Sequence, residues 1–351
     1  MYNNSLTQRI IYKSQMLYQL EKRMDKQELL TAYELMVLSR IFDSKMLALQ
    51  RQGRLGTFAS SQGHEVIQVG SVMALKKDDW VVPYFRQWPA FIALDYPMEM
   101  LLQYNSGDER GMAIPSNINV LPVNIPVASQ IHHAAGLALG FKKKNQKKVV
   151  ICFLGDGATS KGDFHEALNF AGVFKTPNIF ICENNQYAIS VPLKRQTASK
   201  TIAEKAIAYG IEGMRIDGNN VEEIYEATLK ARQLALNGKP VLMEAVTYRL
   251  SDHTTADDAS RYRSKEEVEA ARKKDWRIVL KRELIDKGWW NEGKEKNLIK
   301  KLELRVEKAV KKFEAIKPAD PSDIFRYTFS EMTPELKRQS EIARSFYGNI
   351  A

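Results

Sequence analysis

Residues 149–157 have the sequence Val-Val-Ile-Cys-Phe-Leu-Gly-Asp-Gly, and this run indicates the architecture of the chain. Six consecutive apolar residues predict a buried strand that ends at a glycine. A helical pattern follows, which we expect Asp163 to cap and residues 175–177, Lys-Thr-Pro, to end. A second apolar run, residues 179–182, predicts another strand. This order predicts a right-handed crossover, so that both strands end at one edge of a parallel sheet.

Polar residues follow both of these strands. Asp156 comes after the first strand and Asn185 after the second, so the two side chains are expected to meet at the sheet edge. Carboxylate, amide and backbone carbonyl oxygens suit Mg²⁺, which completes its coordination with phosphate oxygens and water. Gly155 and Gly157 let the backbone approach a diphosphate, and the next helix offers it an N-terminus. A lone Gly-Asp-Gly is more often a simple turn, but here 26 residues separate Gly157 from Asn184 and strands precede both ends. The implied ligand is a magnesium diphosphate.

The composition is that of an ordinary globular protein with one large or two smaller domains. The chain has 351 residues, of which 44% are hydrophobic and 27% charged. Its net charge of +10 comes largely from basic helical sequence near the C-terminus, which is typical of solvated helix faces. Cys152 and Cys182 fall in strand runs and are expected in the core without a disulfide. No membrane span or secretory signal is predicted, so we expect a cytoplasmic protein that binds neither membrane nor nucleic acid.

The rest of the pattern alternates helices and strands. Helices are predicted at 27–52, 63–75, 126–139, 202–209 and 221–236, and further strands at 79–82, 214–217 and 241–247. The fold class is therefore α/β, with a mainly parallel sheet, helices on both faces and a site at the carboxyl ends of the strands. We expect an N-terminal arm at 1–26, the α/β domain at 27–265 and a helical C-terminal extension at 266–351.

The spacing of Gly155-Asp156-Gly157 and Asn184-Asn185 resembles the thiamine-diphosphate signature. From about Leu29 onward the chain is similar to the E1 α subunits of 2-oxo acid dehydrogenase complexes, with the branched-chain type expected to be closer than the pyruvate type. Other segments that match are Tyr248-Arg249, His253-Thr254-Thr255, Asp257-Asp258, Tyr262-Arg263-Ser264, Trp289-Trp290 and Lys317-Pro318.

The resemblance implies oxidative decarboxylation of a branched-chain 2-oxo acid and transfer of the acyl group to the lipoyl group of an E2 partner. It also implies that a separate β subunit completes the site in an α₂β₂ assembly. Two alternatives stay open. One is an E1 α subunit that acts on pyruvate or acetoin, and the other is a non-enzymatic module that binds a magnesium diphosphate.

Individual residues receive roles from the same resemblance. His253 is the expected catalytic residue, because an imidazole in this loop can hydrogen-bond reacting groups and the cofactor phosphate. Contacts with thiamine diphosphate are implied for Phe85, Arg86, Val127, Gly155, Asp156, Gly157, Ala158, Asn185, Arg249 and His253. Magnesium ligands are implied at Asp156, Asn185 and Tyr187, and potassium ligands at Pro126, Ser129 and Gln130.

Simpler roles compete with several of these assignments. Val127 could be an ordinary core residue, and Ser129 with Gln130 could cap a helix. Phe85 stands where most relatives have a tyrosine, so Tyr84 is a candidate to replace the missing hydroxyl. His64 is expected to be a capping or surface histidine, at a position where the family commonly has glutamine.

Overall fold

The computed structural model describes residues 23–347, so residues 1–22 of the predicted N-terminal arm lie outside the described part. The first described helix, α1, covers Lys26–Arg51, as the apolar pattern predicts. Asp25 and Glu28 form a capping box at its start, because the side chain of each accepts a hydrogen bond from the backbone N–H of the other.

The elements alternate along the chain as predicted. The further helices are α2 (Glu65–Met73), α3 (Trp88–Ala93), α4 (Met98–Asn105), α5 (Ser129–Lys143), α6 (Gly162–Phe174), α7 (Val221–Leu236), α8 (Lys265–Arg272), α9 (Trp276–Asp286), α10 (Glu292–Glu314), α11 (Asp323–Arg326) and α12 (Pro334–Tyr347). The strands are β1 (Trp80–Val82), β2 (Val150–Gly155), β3 (Asn178–Asn184), β4 (Tyr187–Ala188), β5 (Val191–Pro192), β6 (Glu212–Asp217) and β7 (Val241–Val246).

Five strands form one parallel sheet in the order β1-β2-β3-β7-β6. Leu154 pairs with Cys182 and Asn184 pairs with Val246, so the carboxyl ends of β2, β3 and β7 lie side by side. Strands β4 and β5 form a separate antiparallel pair just beyond β3. The crossover from β2 through α6 to β3 is the one that the sequence predicts.

Helices cover both faces of the sheet, which confirms the predicted fold class. On one face, Cys152, Leu154 and Phe180 form an apolar cluster with residues of α5 and α6 such as Ala134 and Phe164. Because side chains alternate along a strand, the intervening residues of β2 point to the other face. They are fully buried there, on the side where α7 contacts β3, β6 and β7. Cys152 and Cys182 are buried and free.

Three local predictions differ from the structure. Asp163 does not cap α6; it lies in the first turn after Lys161, where a carboxylate still favours the positive end of the helix dipole. Residues 203–209 form a 3-10 helix instead of an α-helix. Helices α3 and α4 are absent from the predictions, although Pro89 in the first turn of α3 and Pro97 just before α4 are helix-start signals.

The chain divides into two compact units at Ala309, within α10. The first unit contains the sheet, α1–α9 and most of α10, and the second contains the end of α10 with α11 and α12. The expected division between an α/β domain and a helical extension at residue 265 stays a prediction. Within residues 23–347, no helix is both long enough and apolar enough to cross a membrane.

Candidate functional site

Asp156 and Asn185 meet at the carboxyl edge of the sheet, as their positions after β2 and β3 predict. Both side chains are buried. Burial raises the pKa of the Asp156 carboxyl, against the opposing effects of Gln196, Arg249 and the backbone amide of Asn185. The Gln196 side chain donates a hydrogen bond of 2.6 Å to Asp156 Oδ2. The buried carboxylate therefore lies beside the backbone of Asn185, whose side chain carries a second hard oxygen donor.

Tyr187, the third implied magnesium ligand, lies next to them. Its backbone N–H donates to Asn185 Oδ1 at 3.2 Å, and its carbonyl oxygen accepts from Arg249 Nη1 at 3.4 Å. Its hydroxyl points away to Glu267, at 2.9 Å. Of the two oxygens of Tyr187, only the carbonyl oxygen therefore faces this group of polar residues.

Two buried arginines converge on His253. Arg86 Nη2 lies 3.1 Å from His253 Nδ1 and donates to the His253 carbonyl oxygen at 2.9 Å. Arg249 Nη1 lies 3.4 Å from the same ring nitrogen. Burial and then Arg86 lower the pKa of the Arg249 guanidinium. Like charges held this close in a buried place indicate a site for an anion.

Each of the two guanidinium groups also has an unused donor. Nε of Arg86 and Nε of Arg249 are buried and have no hydrogen-bond partner among the described residues. Such orphaned donors are costly unless a ligand pairs with them. Phosphate oxygens have the charge and geometry that a guanidinium prefers.

His253 is neutral in this site. Burial, Arg86 and Arg249 lower the pKa of the imidazole to about 3. Because Nδ1 faces two guanidinium donors, it acts as the acceptor, and the ring proton is assigned to Nε2. Asp257 fixes the loop from the other side by accepting a 2.9 Å hydrogen bond from the His253 backbone N–H. His253 therefore offers an N–H donor at neutral pH and adds no charge.

The glycines at the end of β2 have different surroundings. A Cβ added to Gly155 would meet no atom within 4 Å, so the space next to this backbone is open. A Cβ added to Gly157 would lie 2.8 Å from the Cβ of Ala188, so Gly157 is needed for the close approach of β4. Ala158, which follows Gly157 in the chain, is buried in the apolar cluster that includes residues of α6. The open space at Gly155, next to Asp156 in the chain, leaves room for the phosphate oxygens of a magnesium diphosphate.

No group of three His, Cys, Asp or Glu side chains converges as for a metal in residues 23–347.

Phe85 and Tyr84 do not restore the hydroxyl that relatives have. The Phe85 ring packs edge-on against His253, with 6.1 Å between ring centroids. Tyr84 is buried and donates its hydroxyl to Glu183 at 2.6 Å. The expectation that Tyr84 could replace a phosphate-binding tyrosine is therefore wrong, because its only hydroxyl is engaged in the core.

Helix α5 begins at Ser129, three residues after the predicted start at 126. Val127 is 47% exposed, so it is not a core residue. Ser129 Oγ donates to Asn124 Oδ1 at 2.9 Å and lies 2.8 Å from the Pro126 carbonyl oxygen, and it does not cap the helix. Gln130 donates to the Phe153 carbonyl oxygen, while its buried Oε1 has no partner among the described residues. An unpaired amide oxygen fits the expected potassium site, which stays a prediction.

His64 occupies the N-cap position of α2, but it is not a surface residue and its side chain does not cap the helix, which corrects the prediction. It is fully buried, its side chain makes no cap hydrogen bond to α2, and its Nδ1 lies 2.8 Å from Glu183 Oε2. Gly63, with φ of +96°, brings it there; a Cβ at Gly63 would lie 2.1 Å from the Tyr248 carbonyl oxygen. The Gly63-His64 pair is visible in the sequence, but a local sequence pattern does not show that such a pair is buried in the core.

The fold and this edge define an α/β protein whose polar residues converge at the carboxyl ends of parallel strands, where such proteins bind ligands. Residues 33–322 match the family model described as Dehydrogenase E1 component. The chain is 39% identical over 309 residues to the pyruvate dehydrogenase E1 component subunit alpha of Bacillus subtilis, covering 88% of this chain and 83% of that protein. The identity to the Acholeplasma laidlawii protein of the same name is 39% over 334 residues, or 94% and 97% of the two chains. The identity to the Mycoplasma genitalium protein is 39% over 322 residues, or 92% and 90%.

The chain belongs to the dehydrogenase E1 component family, as an E1 α subunit of a 2-oxo acid dehydrogenase. This confirms the resemblance at the level of the family, which implies thiamine diphosphate as the cofactor. The names of the relatives favour the pyruvate alternative over the branched-chain type that the sequence was expected to match most closely.

Proposed function

We propose that this chain, with a separate β subunit, catalyses the oxidative decarboxylation of pyruvate and passes the acyl group to a lipoyl group on an E2 partner. The observation that carries the proposal is the convergence of Arg86, Arg249 and His253 beside Asp156 and Asn185. The choice of pyruvate is supported by the names of relatives that are 39% identical over most of the chain.

We assign different residues of the cofactor site to the diphosphate and to the metal ions. Thiamine diphosphate, when bound, supplies the nucleophilic carbon and the electron sink for the loss of carbon dioxide. We assign its diphosphate to Arg86 and Arg249, with the open backbone at Gly155 beside it. Asp156, Asn185 and the Tyr187 carbonyl oxygen would hold Mg²⁺, and Pro126, Ser129 and Gln130 would hold K⁺.

His253 would act as a neutral donor. Its Nε2–H can donate to an oxygen of the substrate or of the cofactor phosphate, and Arg86 and Arg249 keep Nδ1 occupied as the acceptor. Because Asp257 and the Arg86 contact to the His253 carbonyl fix the loop backbone, the ring is held in one orientation. This arrangement would place a proton donor without adding a third positive charge.

The need for a β subunit is consistent with the surface of this chain. The site described here holds a diphosphate and a metal, whereas the family resemblance puts the glutamate that activates the aminopyrimidine on another subunit. Large apolar side chains that are 42–57% exposed occur on both segments next to the site, before α5 and along β4 and β5. These residues are Ile125, Val127, Ile189 and Val191. Such exposed apolar groups are suited to an interface.

The proposed substrate is tested with the chain co-expressed with its β subunit, in the presence of Mg²⁺, thiamine diphosphate and an artificial electron acceptor. Pyruvate should be decarboxylated faster than 3-methyl-2-oxobutanoate. His253→Gln should lose at least about 100-fold of the rate, as expected for a proton donor. His165→Gln is the matched control, because His165 lies on α6 and contacts Tyr209. Preference for the branched acid would overturn the choice of pyruvate, and no turnover of either acid would overturn the enzymatic proposal.

A further inference from the structure

A buried chain of hydrogen bonds runs from the core to the expected magnesium ligand Asn185. Glu183, His64 and Asn185 are each at most 5% exposed. His64 Nδ1 lies 2.8 Å from Glu183 Oε2, and His64 Nε2 lies 3.4 Å from Asn185 Nδ2. Neither the family resemblance nor the mechanism above gives a role to His64 or Glu183.

The surroundings of Glu183 determine which ring nitrogen of His64 carries the proton. Glu183 Oε2 accepts from the Tyr84 hydroxyl at 2.6 Å, and Oε1 accepts from Gln87 Nε2 at 3.1 Å. Both oxygens of this carboxyl group are therefore acceptors, so in the contact between Oε2 and His64 we assign the proton to Nδ1. In this tautomer the ring presents a lone pair at Nε2, towards Asn185.

That lone pair fixes the orientation of the Asn185 amide. Nδ2 can donate to His64 Nε2, and on the other side Oδ1 accepts from the Tyr187 backbone N–H at 3.2 Å. If the amide were flipped, its oxygen would face the lone pair of His64 Nε2, and one of its N–H groups would face the backbone N–H of Tyr187. Only one orientation satisfies both neighbours, and it keeps Oδ1 on the side of the Tyr187 backbone.

We propose that His64 is a positioning residue for the magnesium site, in which the Glu183–His64 pair holds the Asn185 amide so that Oδ1 is presented to the metal. The inference rests on the proposed function, since it needs Asn185 to be a ligand. Partners that orient a metal ligand in this way commonly change metal affinity by about 10–100-fold when they are removed. A histidine that only fills the core would leave the affinity unchanged.

Two substitutions at residue 64 test the contacts of the two ring nitrogens of His64 separately. In His64→Asn the amide reaches the place of Nδ1, so it can still donate to Glu183, but it is too short to reach Asn185. In His64→Gln the amide reaches the place of Nε2 and can contact Asn185. Tyr84→Phe is the matched control, because it removes a hydrogen bond from the same buried carboxylate and leaves the His64–Asn185 contact in place.

The measurement is a Mn²⁺ titration followed by the EPR signal of free Mn²⁺, on the full chain co-expressed with its β subunit and with saturating thiamine diphosphate. We expect His64→Asn to bind Mn²⁺ about 10–100-fold more weakly than wild type, with His64→Gln and Tyr84→Phe close to wild type. Equal affinity of wild type and His64→Asn would overturn the inference, and so would an equal loss in His64→Asn and Tyr84→Phe.

Two further outcomes are decisive. If His64→Asn does not fold, His64→Gln decides, because weak Mn²⁺ binding by this variant at a wild-type Tm would contradict a role that needs only the contact with Asn185. If wild type itself binds no Mn²⁺, both the inference and the proposed magnesium site fail. Binding by wild type with no effect of residue 64 leaves the proposed function standing and removes the inference alone.

Discussion

Two histidines near the site have opposite hydrogen-bonding roles, and their neighbours determine which is which. A carboxylate faces Nδ1 of His64, so this ring donates from Nδ1 and accepts at Nε2. Two guanidinium groups face Nδ1 of His253, so that ring accepts at Nδ1 and donates from Nε2. The same side chain thus serves to orient an amide in one place and to offer a proton in the other.

The lowered pKa of His253 predicts a pH dependence of stability. An unfolded histidine binds a proton near pH 6.5, whereas the folded one does so only near about pH 3. Between these values the unfolded chain holds the extra proton, so the contribution of His253 to the free energy of unfolding falls as the pH is lowered through this window and is constant above it. His253→Gln should therefore lose less stability than wild type between about pH 7 and about pH 5.

Urea unfolding of the two proteins without cofactor at both pH values measures this difference. Equal losses of stability in wild type and His253→Gln would show that the imidazole is not held neutral by its surroundings.

Gly155 gives a prediction that separates folding from binding. Its backbone has φ of −86°, which any residue adopts, and an added Cβ would meet no protein atom within 4 Å. Gly155→Ala should therefore keep the Tm of wild type but bind thiamine diphosphate more weakly, because the methyl group enters the space assigned to the diphosphate. Gly157→Ala should instead lower the Tm, since its Cβ would lie 2.8 Å from that of Ala188. Unchanged cofactor affinity in Gly155→Ala would place the diphosphate elsewhere.

At the scale of elements, the parts that were predicted well depend on local patterns. Strand β2 begins one residue after the start of its apolar run, and α7 covers Val221–Leu236 as its helical spacing predicts. Asn220 caps α7 by accepting from the backbone N–H groups of Glu222 and Glu223. The crossover rule then placed Asp156 and Asn185 at one edge without any knowledge of distant contacts.

The parts that were missed depend on contacts between distant segments. His64 and Glu183 are 119 positions apart, and Gln196 and Asp156 are 40 positions apart. No local pattern reports such a pair. Val127 has the hydrophobicity of a core residue, but its exposure is decided by where the loop before α5 lies. The burial of Arg86 and Arg249 likewise follows from the convergence of several strand ends.

Arg263 stabilises the loop that carries His253, so we expect that replacing Arg263 destabilises this loop. Arg263 donates to the carbonyl oxygens of Arg249 and Ser251, and its guanidinium lies 5.5–6.0 Å from the ring centroids of three tyrosines. These are Tyr187, Tyr248 and Tyr262. Lysine keeps the charge but lacks the planar fork and the stacking surface. Arg263→Lys should lower the free energy of unfolding by about 1–3 kcal/mol.

The same change should loosen residues 251–264 more than the sheet. Hydrogen exchange measured by mass spectrometry should show faster exchange in this loop, with β2 and β3 unchanged. Exchange that is faster throughout the protein, or that is unchanged from wild type, would contradict the proposal that Arg263 stabilises this loop.

At the scale of the whole molecule, the parallel sheet brings four separate segments to one edge. Arg86 follows β1, Gly155 ends β2 and Asp156 follows it, Asn185 follows β3, and His253 lies beyond β7. The segment after β1 contributes an anion-binding cation, the end of β2 an open backbone and a carboxylate, the segment after β3 further metal-binding oxygens, and the segment after β7 a proton donor. We propose that together they form the half of a thiamine-diphosphate site that binds the diphosphate and its metal.

The most direct test is a calorimetric titration of thiamine diphosphate into the chain co-expressed with its β subunit, with and without Mg²⁺, for wild type and Asp156→Asn. Because burial raises the pKa of the Asp156 carboxyl, the uncharged asparagine should fold at least as well as wild type. We predict saturable, Mg²⁺-dependent binding by wild type and binding at least about 10-fold weaker by Asp156→Asn. Equal affinity in the two proteins, or binding that does not need Mg²⁺, would contradict the assignment of the diphosphate and its metal to this edge of the sheet.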